Sequence, residues 1–228
     1  MQTATPISRI GIVSGVEEEL SAFRPATPRS RIEGCPLPIE RISWAGKDVF
    51  LLCAGIGKVA AATAATALRA YCDVELLIVI GTAGKIGALE GELFHVVEAV
   101  QADFGAQRPE GLVRYTAGAW PIGPAEVRAF TAMPVRETGL PAIRIATSDL
   151  FIECSQHAGR VRDALDAALV DMETAAVAQA AGLLGVPWIA IKATTDGADG
   201  DSSGSFLANL RAAARAAALA AEDLIARL

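Results

Sequence analysis

Apolar stretches of strand length recur along the chain at residues 10–13, 49–54, 76–80, 96–101, 143–146, 169–171 and 188–192. Several are continuous apolar runs rather than alternating ones, the pattern of strands covered on both faces. Between them lie segments of helical composition at 58–71, 156–168 and 173–184. A last segment, 206–228, sets Phe206, Leu210, Leu224 and Leu228 near one helical face, with Arg211, Arg215 and Arg227 largely elsewhere. Ser203 or Ser205 is placed to cap its start. This alternation predicts an α/β fold with a largely parallel sheet. Residues 105–141 are the least regular and are rich in proline and glycine. We read them as a loop-rich excursion from a single domain spanning 1–228.

A hydrophobic content of 52% in 228 residues is ample for one sizeable core. Roughly one residue in five is alanine, a small helix former. The 20 basic and 26 acidic residues leave a net charge of −6, with no run of Lys or Arg, which argues against a nucleic-acid partner. No apolar run reaches the roughly 18 residues of a membrane span. Met1 to Arg9 shows no basic region followed by an apolar stretch. The expectation is a cytoplasmic protein with no membrane partner. Its 4 cysteines form no CxxC and accompany only 2 histidines, so a metal site has little material. The cysteines are expected to be inert, Cys53 as a small core residue in its apolar run.

In open α/β sheets, ligands bind beyond the carboxyl ends of the strands, so the residues directly following each apolar run carry the information. Ser14-Gly15-Val16-Glu17-Glu18-Glu19 follows the first run. Its successive carboxylates read as a solvated acidic helix start, and a functional reading requires one of them to turn inward as a base. Gly55-Ile56-Gly57-Lys58-Val59-Ala60 lies between a strand and a helix, where glycine lets backbone approach a ligand closely. With Asp73 or Glu75 it imitates a dinucleotide fingerprint, but it follows the second strand rather than the first, and a lone match has little specificity. Gly81-Thr82-Ala83-Gly84 suits a turn exposing backbone N–H groups, or simply a tight strand-to-loop turn. Asp171-Met172-Glu173-Thr174 and Ala193-Thr194-Thr195-Asp196-Gly197-Ala198-Asp199 follow short buried strands. Their carboxylates emerge at one end of the sheet if those strands are parallel. Acidic groups there are costly to desolvate without partners, which makes them functional candidates. A turn or cap aspartate is the plainer reading of Asp196.

Taken in order, six segments resemble the nucleoside phosphorylase/hydrolase superfamily. They are Gly11-Ile12-Val13 with Glu17-Glu18-Glu19, Gly55 to Ala61, Gly81-Thr82-Ala83-Gly84, Ser148-Asp149-Leu150-Phe151-Ile152, Val170-Asp171-Met172-Glu173 and Thr195-Asp196-Gly197-Ala198-Asp199. The likeness is greatest to bacterial 5′-methylthioadenosine/S-adenosylhomocysteine nucleosidases. It implies a three-layer α/β/α sandwich around a mixed, largely parallel sheet. It also implies a homodimer acting on a small-molecule purine nucleoside, with no metal or organic cofactor. It assigns Glu19 as the base that activates water and Asp196 as the proton donor to the purine N7. It sets Met172 against the sugar, Glu173 on the ribose hydroxyls, Phe151 on the base, the Ile152 backbone at the base edge and Thr82 beside the nucleophilic water. Ile56 joins this substrate-binding set.

The roles suit the chemistry. Cleaving an N-glycosidic bond builds positive charge on the sugar and negative charge on the leaving base, so carboxylates by the one and an acid by the other answer both. Burial of Asp196 beside apolar walls would keep that acid protonated. Where phosphorylases of the superfamily hold phosphate with arginine, this chain has Glu17-Glu18-Glu19, which points to water as nucleophile. Asp196 can accept from a 6-amino group and, protonated, donate to the adjacent ring nitrogen, which favours adenine. The expected activity is therefore hydrolysis of 5′-methylthioadenosine or S-adenosylhomocysteine. Asp103-Phe104-Gly105-Ala106 instead resembles futalosine hydrolases, and Lys85 stands where glycine is more usual, so a futalosine hydrolase is the alternative. A non-catalytic nucleoside-binding module built on Gly55 to Ala60 is a third reading.

Overall fold

A computed structural model describes residues 7–135 and 138–228. Residues 1–6, within the stretch read above for a leader, and residues 136–137 of the irregular excursion lie outside the described residues. In chain order the elements are β1 (Arg9–Ser14), α1 (Glu17–Ala22), β2 (Ser30–Arg31), β3 (Glu40–Trp44), β4 (Lys47–Cys53), α2 (Lys58–Cys72), β5 (Leu76–Lys85) and β6 (Leu93–Gln101). They continue with β7 (Gly105–Arg108), β8 (Gly111–Arg114), β9 (Phe130–Thr131), β10 (Ala142–Thr147), α3 (Ser155–Leu165), β11 (Leu169–Asp171), α4 (Thr174–Leu184), β12 (Trp188–Asp196) and α5 (Ser202–Arg227).

Continuous apolar strands have two faces to bury, and here each face meets helices. Ile12, Leu51, Ile78 and Ile191 share a core with Leu20 of α1 and Ala217, Ala221 and Ile225 of α5. The alternate residues Val13, Leu52, Val79 and Ala190 share another with Ala64 and Leu68 of α2 and Val177 and Ala181 of α4. The result is the expected three-layer α/β/α sandwich. The abundant alanines line its helix–sheet contacts, and at Gly11 a Cβ would stand 3.1 Å from both Leu68 and Leu77. Helix α3 closes a smaller core with Val100, Ala146, Ile152 and Val170.

The main sheet has the order β11-β10-β6-β12-β5-β1-β4-β3-β2, with β9 on β6. Pairs β1–β4, β1–β5, β12–β5, β10–β6 and β10–β11 are parallel. Pairs β12–β6, β3–β4 and β2–β3 are antiparallel, which makes the sheet mixed. Strand β11 also pairs antiparallel with the end of β5, at Lys85 and Gly84, so β5, β12, β6, β10 and β11 close into a ring.

Several boundaries differ from the sequence expectation. Gly81-Thr82-Ala83-Gly84 is no turn; it continues β5, because β12 and β11 supply ladder partners along it. Strand β12 likewise runs past Lys192 to Asp196. Helix α3 stops at Leu165, where Asp166 takes a left-handed φ of 50°. Helix α5 begins at Ser202 rather than near Phe206, and neither Ser203 nor Ser205 is its N-cap; Asp201 holds that position, and Glu153 accepts from the Ser203 N–H at 3.1 Å. Inside the excursion, β7 and β8 form a hairpin whose Gly105 leaves no room for a Cβ beside the Val113 carbonyl. Among the described residues no helix is long and apolar enough to cross a membrane, and no group of three or more His, Cys, Asp or Glu could hold a metal ion.

Candidate active site

A cavity of about 470 Å³ opens where β1, β5, β11 and β12 end. That is within the range of small-molecule sites. Glu19, Ile56, Thr82, Phe151, Ile152, Met172, Glu173 and Asp196, separated by up to 177 positions in sequence (196 − 19), all line it. The strands carrying the last two acids are not parallel neighbours, as the sequence reading required. Strand β12 runs parallel to β5 and β11 antiparallel to it. Their ends converge because the ring closes around the end of β5.

Of the three successive glutamates, Glu17 and Glu18 are exposed and Glu19 is buried. Its Oε1 accepts from the Thr82 N–H at 2.7 Å and the Thr82 hydroxyl at 2.8 Å. Its Oε2 accepts from the Gly15 N–H at 3.0 Å and the Val16 N–H at 3.3 Å. Four donors thus converge on this carboxylate and fix its position. Gly81 makes the approach possible, since a Cβ there would fall 2.7 Å from Glu19 Oε1, and its φ of +154° suits glycine.

Glu173 sits just ahead of α4, as buried as Glu19, but accepts one hydrogen bond, from the Gly57 N–H at 3.2 Å. Burial pushes its carboxyl up to about 7; Lys192 and the Gly57 N–H oppose that rise, while Asp171 and Glu19 add to it. Behind it, Lys192 Nζ meets Asp171 Oδ2 at 2.9 Å with both side chains 1% exposed. Asp171 also accepts from the Thr147 hydroxyl at 2.5 Å, the Thr174 N–H at 3.0 Å and the Thr174 hydroxyl at 2.5 Å. Burial lowers the Lys192 ammonium's affinity for its proton, but Asp171, Glu173 and Glu19 outweigh it, and the net shift is upward.

Asp196 is half-buried rather than buried as the sequence reading expected. Its Oδ1 accepts from the Ala198 N–H at 2.9 Å and its Oδ2 from the Thr195 hydroxyl at 2.8 Å. A Cβ on Gly84 would lie 3.1 Å from that carboxylate, and one on Gly15 an equal distance from Glu173. The glycines of the sequence motifs thus stand where carboxylates come close. Opposite them the wall is apolar: Phe151 packs edge-on against Phe206 at 5.9 Å between centroids, with Leu150 and Leu207 beside them.

Sequence reasoning singled out Asp171 only as one of the acidic groups at strand ends, without a role, and did not bring Lys192 or Phe206 to the site. The signal for Lys192 was its place in an apolar run, since an ammonium buried there requires an acidic partner. The Gly55-Ile56-Gly57 segment proves to present a backbone N–H to Glu173. Asp103, from the futalosine-like segment, accepts from Lys58 Nζ at 2.5 Å and from the Asp149 N–H at 3.0 Å. It braces the loop leading to Phe151 and does not line the cavity.

Residues 9–226 match the sequence profile of the Phosphorylase superfamily. Among solved structures, the chain is similar to Helicobacter pylori 5′-methylthioadenosine/S-adenosyl homocysteine nucleosidase, with a TM-score of 0.84 and 19% identity over 98% of this chain and 100% of that one. It is similar to Streptococcus pyogenes S-adenosylhomocysteine nucleosidase, at 0.82 and 22% over 99% of each chain. It is equally similar to Helicobacter pylori futalosine hydrolase, at 0.84 and 19% over 97% and 99%. The fold is shared from end to end, and both kinds of relative share it.

Proposed function

The chain belongs to the phosphorylase superfamily, and from that premise we propose that it hydrolyses the N-glycosidic bond of a 5′-modified adenosine, 5′-methylthioadenosine or S-adenosylhomocysteine, releasing adenine. The observation that carries this reading is the charge of the cavity. Glu19, Asp171, Glu173 and Asp196 line it, and no Lys, Arg or His does among the described residues. Such a lining favours a cationic, oxocarbenium-like sugar and repels phosphate, leaving water as the nucleophile.

In the proposed reaction the water oxygen bonds to C1′ as the bond from C1′ to the purine nitrogen breaks, and that electron pair leaves with the base. Glu19 takes the water's proton. The Thr82 hydroxyl, donating to Glu19, keeps its own lone pairs for the same water. Asp196 delivers its proton to N7, so the base leaves neutral. Glu173 accepts from the ribose hydroxyls with Met172 against the sugar, while Phe151 stacks on the base and the Ile152 backbone meets its edge. Ile56 adds an apolar side chain to the lining. No step needs a metal or an organic cofactor.

Exposed Val59 and Leu183 flank a second groove between α2 and α4, which supports assembly as a homodimer. The free cysteines accord with a cytoplasmic location. Because Asp103 lies outside the cavity lining, the futalosine-like segment is a weaker guide to the substrate than Asp196.

The test is adenine release from 5′-methylthioadenosine, with and without phosphate, followed by chromatography. Equal rates yielding adenine and free methylthioribose are expected. Dependence on phosphate would sink the hydrolase reading. Hypoxanthine from futalosine, with 5′-methylthioadenosine untouched, would establish the alternative.

A further inference from the structure

We propose that Lys192 is a positioning residue whose buried ammonium, clamped on Asp171 behind the cavity, sets the charge state of Glu173 and so the pH range over which the sugar is held. The link to the sugar rests on the function proposed above; the effect on Glu173 does not.

The geometry begins with the cost of the pair. An ammonium and a carboxylate removed from water each lose a large hydration energy, and one partner left alone would be strongly destabilising. Lys192 stands between Ile191 and Ala193 on β12, and its 2.9 Å contact with Asp171 joins the strands on either side of β5. Asp171 is tied in turn to the start of α4. The Thr174 N–H and hydroxyl donate to it directly, and Thr147, which donates to its Oδ1, accepts from the Ala175 N–H at 2.9 Å. Between these anchors lie Met172 and Glu173. The ion pair therefore holds the backbone turn that presents Glu173, and places one positive charge behind it.

The charges around Glu173 come from every neighbouring element. Asp171 on β11 and Glu19 on α1 are negative, Asp196 at the end of β12 lines the same cavity, and Lys192 is positive. Lys58 follows Gly57 directly but turns its Nζ to Asp103 and Gln101. Lys192 is thus the cation that counters burial and keeps Glu173 ionisable near neutrality, where it can accept from a hydroxyl. Removing either end of the ion pair must move Glu173 in opposite directions. Without the ammonium, Glu173 holds its proton more tightly; without the Asp171 charge, it holds it less tightly. A role confined to folding has no reason to produce that opposition.

The experiment is a carboxyl ¹³C NMR titration of the full chain without substrate, the Glu173 signal being the one missing in Glu173→Gln. Lys192→Met is expected to raise the Glu173 midpoint by about one pH unit or more, a tenfold or greater change in proton affinity. Lys192→Arg keeps the charge and should keep the midpoint within a few tenths of a unit. Asp171→Asn should lower it. Should Lys192→Met fail to fold, the double variant Lys192→Met/Asp171→Asn removes both members of the buried ion pair together, and its midpoint should lie above that of Asp171→Asn. Unchanged midpoints, or shifts of one sign from both ends of the pair, would overturn the proposal. If the opposed shifts appear while no purine nucleoside is turned over, the role of Lys192 stands and the nucleosidase reading fails.

Discussion

Glu19 and Glu173 share one cavity and are nearly equally buried, at 4% and 7% exposed, yet the protein supports them differently. Glu19 receives four hydrogen bonds, three from backbone N–H groups. Glu173 receives one, and relies on a lysine behind it to offset desolvation. A carboxylate gripped by fixed dipoles is anchored in position and suited to a step where a displacement of about 1 Å is costly. One held mainly by a distant charge is free to exchange its proton near neutrality. Burial alone therefore does not decide what a carboxylate can do; the count and kind of its donors do.

Breaking the Glu19 side should have the largest effect. Glu19→Gln keeps the shape and removes the base, and kcat for nucleoside hydrolysis should fall by about 10²–10⁴-fold, with KM little changed. Gly81→Ala attacks the same carboxylate through its support. The added Cβ would lie 2.7 Å from Oε1, so Glu19 must shift, and kcat should fall by about 10²-fold in a steady-state assay.

Substitution on the Glu173 side should act on binding and stability more than on the chemical step. Glu173→Gln should raise KM by about tenfold, one charge-assisted hydrogen bond to a ribose hydroxyl being weakened. Its stability effect has a defined sign. Burial pushes the Glu173 carboxyl up to about 7 from its ordinary 4.5, so the folded state binds more protons between those limits and stability falls as pH rises through them. Above pH 7 the ionised group costs up to about 3 kcal/mol, and removing it should raise Tm by a few degrees at pH 8 and leave it almost unchanged at pH 4. Thermal melts of wild type and variant at the two pH values check this. The smallest effect is expected at Thr82, where Thr82→Val deletes one of the four donors to Glu19 and should reduce kcat only several-fold.

The two carboxylates also differ in how readily the sequence revealed them. Apolar runs and alanine-rich segments placed most of the sandwich, because strands buried on both faces leave a local signature. Three adjacent glutamates carry no local mark of which one turns inward. Gly81 decides that, 62 residues on (81 − 19), by leaving room across the sheet. The same residue was misread as part of a turn, since its place in a strand depends on β12 and β11 arriving beside it. Resemblance brought Glu173 to the sugar, but Lys192, the cation whose charge acts on it, was taken as the end of an apolar run. The Lys192–Asp171 contact spans β5 from strands of opposite direction, which no spacing in the chain encodes. The antiparallel turn of β11 was hidden for the same reason.

Attack of water on the sugar in a carboxylate-lined cavity can be followed by turnover of 5′-methylthioadenosine in H₂¹⁸O with phosphate present. Free adenine and a reducing sugar carrying ¹⁸O at C1 are expected, read by mass spectrometry before the anomeric oxygen exchanges. A sugar 1-phosphate, or an intact nucleoside after prolonged incubation with the folded protein, would contradict it.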